Sequence, residues 1–284
     1  MEHDRPTIRS LTPTLCSLFR VAPPALCDVP ALEDALQAAR ETFGPGRAER
    51  CLVHAVDAVG DQLGNRFPEL LAPVAREAPI RIPLRSVFPS MTPVCYASMF
   101  TGAQPERHGI RRYEKPVLAC DTLFDAFLRS GLRVAIVAVA DSSIERIFRD
   151  RDMDYFSVKY DPWVTDRAVK LMAEDRHELI VAYHQEYDDV MHGTTPFHPR
   201  ALRGAENSVF AFSQMAGEMH RHWRGHNRVL VFAPDHGTHL DESTGRGTHG
   251  SDLSEDMDLC HYYGLAPGAA QIAPGAAPSA PGDV

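Results

Sequence analysis

From Cys51 onward, short apolar runs alternate with segments whose apolar residues recur at helical spacing, and this alternation constrains the fold more than any other feature of the chain. Strands are expected at 51–56, 80–87, 133–140, 154–158, 178–184 and 228–233. Helices are expected near 60–77, from about 93, and at 121–130, 162–174 and 200–223. Strands separated by helices of this length form βαβ units, so the expected class is α/β: a doubly wound, mostly parallel sheet with helices on both faces. Gly131 and Gly225 each stand between a helix and the next strand, where a left-handed helix end is expected.

Ligands of such sheets bind in the crevice outside the carboxyl ends of the strands. Three runs lead there into acidic or histidine-bearing segments: CLVHAV into Asp57, the 178–184 strand into EYDDVMH with Asp188 and His192, and VLVFAP into Asp235 and His236. Asp188 and His192 are four apart, so one turn can aim both at a single ion. Gly237 permits a sharp exit after His236, and adjacent side chains there can diverge toward two ions. His249, between glycines in GTHG, can return over the same site. Oxygen and nitrogen donors without thiolate suit two divalent ions, zinc first and manganese second. His220, His222 and His226 belong to a polar helix end and are expected at the surface.

In SVFPSMTPVCYASMFTG a strand gives way to a helix in which Pro93 suits the first position and Thr92 the N-cap. The Thr92 hydroxyl would then sit at the positive end of a helix dipole, and metal coordination would make its alkoxide accessible at neutral pH. Ser90 and Ser98 are the alternative hydroxyls. Three aspartates and an alkoxide would balance the charge of two divalent ions, leaving an incoming phosphoryl group unrepelled.

A length of 284 residues with 44% hydrophobic content suits one large domain, and the net charge of −9 argues against a nucleic-acid or anionic-membrane binder. The expected division is an N-terminal extension at 1–48, a catalytic domain at 49–265, and an Ala/Pro/Gly-rich disordered tail at 266–284. The six cysteines show no disulfide spacing. The opening MEHDRPTIRS has no basic region followed by an apolar stretch, and VAIVAVA is too short to cross a bilayer. A soluble cytoplasmic protein is therefore expected. Arg107, Arg111, Arg112 and Lys115 cluster after the Thr92 segment and could assist an anionic substrate.

FPSMTPVCYASMFTGAQPERHGI resembles the nucleophile segment of the alkaline phosphatase superfamily, in its nucleotide pyrophosphatase/phosphodiesterase and phosphonoacetate hydrolase branch. YDDVMHGTTP is similar to that branch's Asp-to-His metal loop, and PDHG to its strand-end motif. Over roughly residues 50–255 the resemblance implies an alkaline-phosphatase-like domain in which Asp57, Asp235 and His236 bind one ion, and Asp188, His192 and His249 the other. Thr92 would bridge them as the nucleophile, forming a phosphothreonine that water hydrolyses. The implied partner is a small phosphorylated or phosphonate substrate.

The chain departs from the pattern in having Cys95 where an asparagine usually contacts the phosphoryl group, and Met191 where a glycine usually precedes the histidine. Cys95 and Arg107 are nevertheless the candidate substrate contacts. Tyr96, Phe100, Tyr113, Trp163 and Phe197 could supply apolar leaving-group surface. The sulfatase pattern is absent around Cys95. A phosphotransferase or mutase of the same superfamily, and a catalytically silent metal-binding relative, are the alternative readings.

Overall fold

The computed structural model describes residues 5–269. Among them the strands are β1 (Arg50–Val56), β2 (Ile80–Arg85), β3 (Val134–Val139), β4 (Asp154–Val158), β5 (Leu179–His184), β6 (Arg228–Pro234), β7 (His239–Asp241), β8 (Arg246–Thr248) and β9 (Asp258–Ala266). Seven form one sheet in the order β2-β9-β6-β1-β5-β3-β4, while β7 and β8 make a separate hairpin. From β6 to β4 the pairing is parallel; β9 runs antiparallel to both β6 and β2.

Helices α1 (Leu11–Phe19) and α2 (Glu33–Phe43) precede the sheet, and α3 (Asp61–Arg66) and α4 (Pro68–Glu77) connect β1 to β2. Next come α5 (Thr92–Thr101), α6 (Pro105–His108) and α7 (Leu123–Arg129) before β3, with α8 (Ser143–Ile147) leading to β4. Helix α9 (Asp161–Glu174) leads to β5, α10 (Glu186–Gly193) and α11 (Pro199–His222) to β6, and α12 (Ser254–Met257) to β9.

The alternation read from the sequence is present, and its side-chain logic is visible in β1. Cys51, Val53 and Ala55 face one core layer with α1, α2, α5 and α7, whereas Leu52 and Val56 face the other with α4, α9 and α11. Both faces of the central strands are covered, which is why they read as continuous apolar runs.

Three features differ from the sequence reading. The helix expected at 60–77 is two helices, because Pro68 cannot donate an N–H and starts α4 afresh. Strand β9 was not anticipated: DLCHYYGLA lacks polar alternation because it too is buried on both faces, between β2 and β6. Residues 8–43, expected as a peripheral extension, bury Ile8, Leu11, Leu15, Phe19, Leu32 and Phe43 in the larger core cluster. Each such side chain is worth about 1.5–3 kcal/mol, so this segment is a structural layer of the domain. Thr12 Oγ1 donates to the Met99 carbonyl at 2.7 Å and locks α1 onto α5.

Of the Ala/Pro/Gly-rich tail, the described part is held in place: Gly268 N donates to Asn227 Oδ1 at 2.9 Å and Ala269 N to the Arg224 carbonyl at 2.9 Å. Residues 270–284 lie outside the described residues. Among the described residues no helix is long and apolar enough to cross a membrane, and the six cysteines are free thiols.

Between β1 and α9 lies a buried polar chain. His54 Nε2 is 2.9 Å from His184 Nδ1, and His184 Nε2 is 3.1 Å from Thr165 Oγ1. Burial pushes both imidazole pKa values down, that of His184 to about 3. An unfolded histidine takes up a proton near pH ~6.5, whereas these do not while folded. Their contribution to stability is thus fully present above that pH and is lost progressively as pH falls toward the depressed folded values. Each histidine adds about 1.4 kcal/mol per pH unit to the acid slope. His54→Leu is expected to flatten that slope by about one proton in denaturant titrations from about pH 6.5 to 5; coincident slopes for variant and parent would refute the assignment.

Candidate metal centre

Strand order brings the site together. β1 is flanked by β5 and β6, so Asp57, the α10 residues and Asp235 emerge at three neighbouring carboxyl ends of the sheet. Two groups of potential ligands result: Asp57, Asp235 and His236, all buried, and Asp188, His192 and His249. The expected ligand residues are therefore all brought together, while His220, His222 and His226 are engaged around the end of α11 with Arg228, Glu218 and Asp175.

The donor atoms within each group have the spacing of a coordination sphere. A tetrahedral ion with bonds of about 2.0–2.1 Å holds its ligand atoms about 3.3–3.4 Å apart. Asp188 Oδ1 is 3.4 Å from His192 Nε2 and 3.5 Å from His249 Nε2, and the two Nε2 atoms are 3.1 Å apart. In the other group His236 Nε2 is 3.4 Å from both Asp57 Oδ1 and Asp235 Oδ2. The His236 and His249 rings stack at 4.0 Å and join the two groups.

Each imidazole is oriented by a backbone carbonyl. Nδ1 of His236 faces the Gly237 oxygen at 2.9 Å, that of His249 the Ser90 oxygen at 2.8 Å, and that of His192 the Gly247 oxygen at 3.2 Å. A carbonyl only accepts, so Nδ1 carries the hydrogen and Nε2 presents a lone pair, the tautomer that ligates metals. Two lone pairs 3.1 Å apart, on His192 and His249, are reconciled by a cation between them. A proton is a poor substitute at neutral pH, since burial pushes the His249 pKa down to about 4.

The carboxylates lack the same thing. Burial raises the pKa values of Asp57, Asp188 and Asp235 well above the ordinary range, and mutual repulsion raises them further, Asp188 acting on Asp57, Asp235 on Asp188 and Asp57 on Asp235. Asp188 Oδ1 and Asp235 Oδ2 are buried without a hydrogen-bond partner, which native interiors rarely tolerate. Of the other oxygens, Asp235 Oδ1 accepts from the amides of Ala58 and His236, and Asp57 Oδ2 from the Tyr183 hydroxyl. The donor set, its spacing and its orphaned oxygens fit divalent cations.

Thr92 is the first residue of α5, with Met91 at the cap, so the hydroxyl is not spent on capping the helix. Its Oγ1 lies 3.5 Å from Asp57 Oδ1 and 3.3 Å from His236 Nε2. The alternative hydroxyls are committed elsewhere, Ser98 to His108 Nε2 at 2.8 Å and Ser90 to the Ser251 carbonyl at 2.7 Å.

Cys95 and Arg107 do not line the cavity above Thr92. Cys95 is buried one helical turn on, its Sγ 3.2 Å from Ser86 Oγ. Arg107 pairs with Asp28 at 2.7 Å and donates to the Leu26 carbonyl. Met191 also points away from the donors: it is fully buried, with Thr238 Oγ1 3.0 Å from its Sδ. Gly247 makes room for it, since a Cβ there would meet that sulfur at 2.3 Å.

Several contributors carried no sequence signal. Asp256 Oδ2 accepts from the Ser251 amide and hydroxyl at 2.9 and 2.8 Å, Ser251 O accepts from Ser90 Oγ, and the Ser90 carbonyl in turn orients His249. Gln185 likewise stands in the wall of the cavity over Thr92, whose volume is about 120 Å³, beside Tyr113 and Lys115, which the sequence had already offered as candidates.

The site thus belongs to an α/β protein whose mostly parallel sheet gathers carboxylates and imidazoles at its carboxyl edge. A family model of type I phosphodiesterases and nucleotide pyrophosphatases matches residues 62–116, the stretch that carries Thr92. Phosphonoacetate hydrolase from Sinorhizobium meliloti, solved with phosphonoformate, aligns at 18% identity with a TM-score of 0.51, over 72% of this chain and 62% of that one. Murine ectonucleotide pyrophosphatase/phosphodiesterase 5 aligns at 16% identity with a TM-score of 0.55, over 69% of this chain and 59% of that one. The chain thus spans about three fifths of the length of these structures. No curated protein matches it. The chain shares the fold of these solved structures and resembles the nucleotide pyrophosphatase/phosphodiesterase-like branch of the alkaline phosphatase superfamily.

Proposed function

We propose that the protein is a two-metal hydrolase of phosphoester or phosphonate compounds that works through a phosphothreonine at Thr92. The observation that carries this reading is a hydroxyl free of capping duty beside two donor groups with metal-ligand spacing. Asp57, Asp235 and His236 would hold one ion and Asp188, His192 and His249 the other, zinc being the ion best suited to these donors. Bound divalent ions supply the positive charge that offsets the buried carboxylates and lowers the pKa of the Thr92 hydroxyl.

The remaining work falls to the chain itself. Thr92 Oγ1 loses its proton to solvent and attacks phosphorus while the bond to the leaving group breaks and that group takes up a proton; water then attacks the phosphothreonine, releasing phosphate, or a monoester from a diester substrate, and restoring the hydroxyl. Tyr183 holds Asp57 through Oδ2, leaving Oδ1 turned toward Thr92. Thr92 stands in the first turn of α5, where a phosphoryl oxygen bound beside it gains from the helix dipole.

Zinc-reconstituted protein assayed against p-nitrophenyl phosphate, bis-p-nitrophenyl phosphate and a phosphonate monoester tests the activity; no turnover of any of the three would remove the reading. Oxygen-labelled water separates hydrolysis from transfer to an alcohol, since only hydrolysis puts label into the released phosphate. The Asp256 network gives a further prediction. Asp256→Ala frees Ser251 and, through Ser90, His249, so affinity for zinc in chelator competition should fall by about 10–100-fold. An unaltered affinity would show that the network does not tune the site.

A further inference from the structure

The cations that follow the Thr92 segment are not equivalent once folded. Arg107 is tied to Asp28, Arg111 donates to the Glu106 carbonyl, and Arg112 pairs with Glu114. Lys115 alone among them lines the cavity above Thr92. Its Nζ donates to the Asp141 carbonyl at 2.8 Å and lies 5.5 Å from the centre of the Tyr113 ring. An ammonium has three donors, so two remain for a ligand while the backbone bond and the ring fix its position.

The other walls narrow the choice of ligand. Tyr183 donates to Asp57 and Gln185 to Asp189, so beside the carboxylates of Asp141, Asp188 and Asp189 it is Lys115 that supplies a cation to the cavity. Of the aromatic residues that could form a leaving-group surface, Tyr96 and Phe100 are fully buried in the core, and Phe197 and Trp163 pair with Arg66 and Lys159 outside the cavity. Tyr113 is the one aromatic of that set at its rim. A cavity of about 120 Å³ with polar walls gives little shelter to a bulky apolar ester group.

We propose that Lys115 determines specificity at this site, by selecting small phosphoryl compounds that carry two negative charges, such as monoester dianions, over singly charged diesters. This rests on the proposed hydrolase reading. The extra oxygen of a monoester is charged and needs a compensating donor, whereas in a diester that oxygen is esterified and neutral. Lys115 supplies this donor as a charge-assisted hydrogen bond, which discriminates by charge as well as by geometry.

The test compares kcat/KM for p-nitrophenyl phosphate and bis-p-nitrophenyl phosphate at about pH 8, where they carry two and one charges, on the zinc-loaded full chain. The parent protein should favour the monoester, and in Lys115→Met the monoester-to-diester ratio should fall about 10–100-fold, the worth of one hydrogen bond to a charged group. Lys115→Arg should recover part of it. A parent preference for the diester, or an unchanged ratio in Lys115→Met, overturns the proposal while leaving the hydrolase reading intact. Calorimetric binding of inorganic phosphate against dimethyl phosphate separates the two failures: if neither ester is hydrolysed but phosphate binding depends on Lys115, the hydrolase reading fails and the subsite stands. Phosphate binding indifferent to Lys115→Met overturns the subsite as well.

Discussion

Thr92→Ala is expected to lower phosphoester turnover by at least about 10⁴-fold, the scale on which removal of a covalent nucleophile acts, while zinc content by elemental analysis stays at the parent value. The two halves of the result belong together. In the proposed mechanism Thr92 supplies the attacking oxygen, but Asp57, Asp235 and His236 are held by other contacts: the Tyr183 hydroxyl, the Ala58 amide and the Gly237 carbonyl. Deleting the hydroxyl therefore leaves the donor geometry standing. Thr92→Ser keeps the oxygen at the start of α5 and loses only the methyl group, so it should retain measurable turnover. A Thr92→Ala protein that hydrolyses phosphate esters at the parent rate would eliminate the covalent mechanism, and one that loses turnover together with its metal would instead make Thr92 a structural ligand.

Removal of the metal has the second large effect. A ligand present at a thousand times its dissociation constant adds about 4 kcal/mol per site to folding stability, and for a domain of this size that is about 8–16 °C in Tm. Chelation should lower Tm by at least that margin, abolish turnover, and be reversed by zinc. The sharper form of the prediction uses Asp188, whose Oδ1 is buried without a partner and whose carboxyl is pushed toward the neutral form by burial. Asp188→Asn removes a charge that the metal-free protein must otherwise desolvate uncompensated. Without metal the variant should match or exceed the parent in Tm, and with zinc it should fall below it. A structural carboxylate predicts the opposite in chelator, a loss of stability with no crossing, and that outcome would dissociate Asp188 from any ion.

How much of this was legible in the sequence can be followed residue by residue. The strand containing Val53 and the strand containing Val231 were readable because burial on both faces leaves an unbroken apolar run. The same property hid β9, whose DLCHYYGLA mixes histidine and tyrosines into a buried strand that partners β6 and β2 late in the chain. Thr92 and the Asp and His donors stood out through residue type and their place after apolar runs, which are local properties. Arg107 and Cys95 were singled out by proximity in sequence and by a matched position, and the structure gives both to other partners. Nearness along the chain says little about direction: on α5, Thr92 faces Asp57 whereas Cys95, one turn later, faces Ser86.

The N-terminal segment makes the same point for packing. Its apolar residues had helical spacing, but no local signal states that Phe19 will pack against Phe127 in a tilted pair, with ring centres 4.8 Å apart, or that Thr12 will bond to α5. Likewise the carbonyls of Ser90, Gly237 and Gly247 have no side-chain signature, yet they decide which nitrogen of each imidazole is free.

The sequence by itself determined the kinds of donor available, the candidate hydroxyl, and the alternation of strands and helices, because these depend on side-chain chemistry and on short-range periodicity. Tertiary structure alone decided that β6, β1 and β5 are neighbours, that six donors separate into two groups, and that Lys115 rather than Arg107 looks onto Thr92. The reason is physical: the order of strands in a sheet is settled by long-range pairing and by the burial of both faces at once, and a carboxylate becomes a ligand only when the chain returns other donors to within about 3.3–3.4 Å of it.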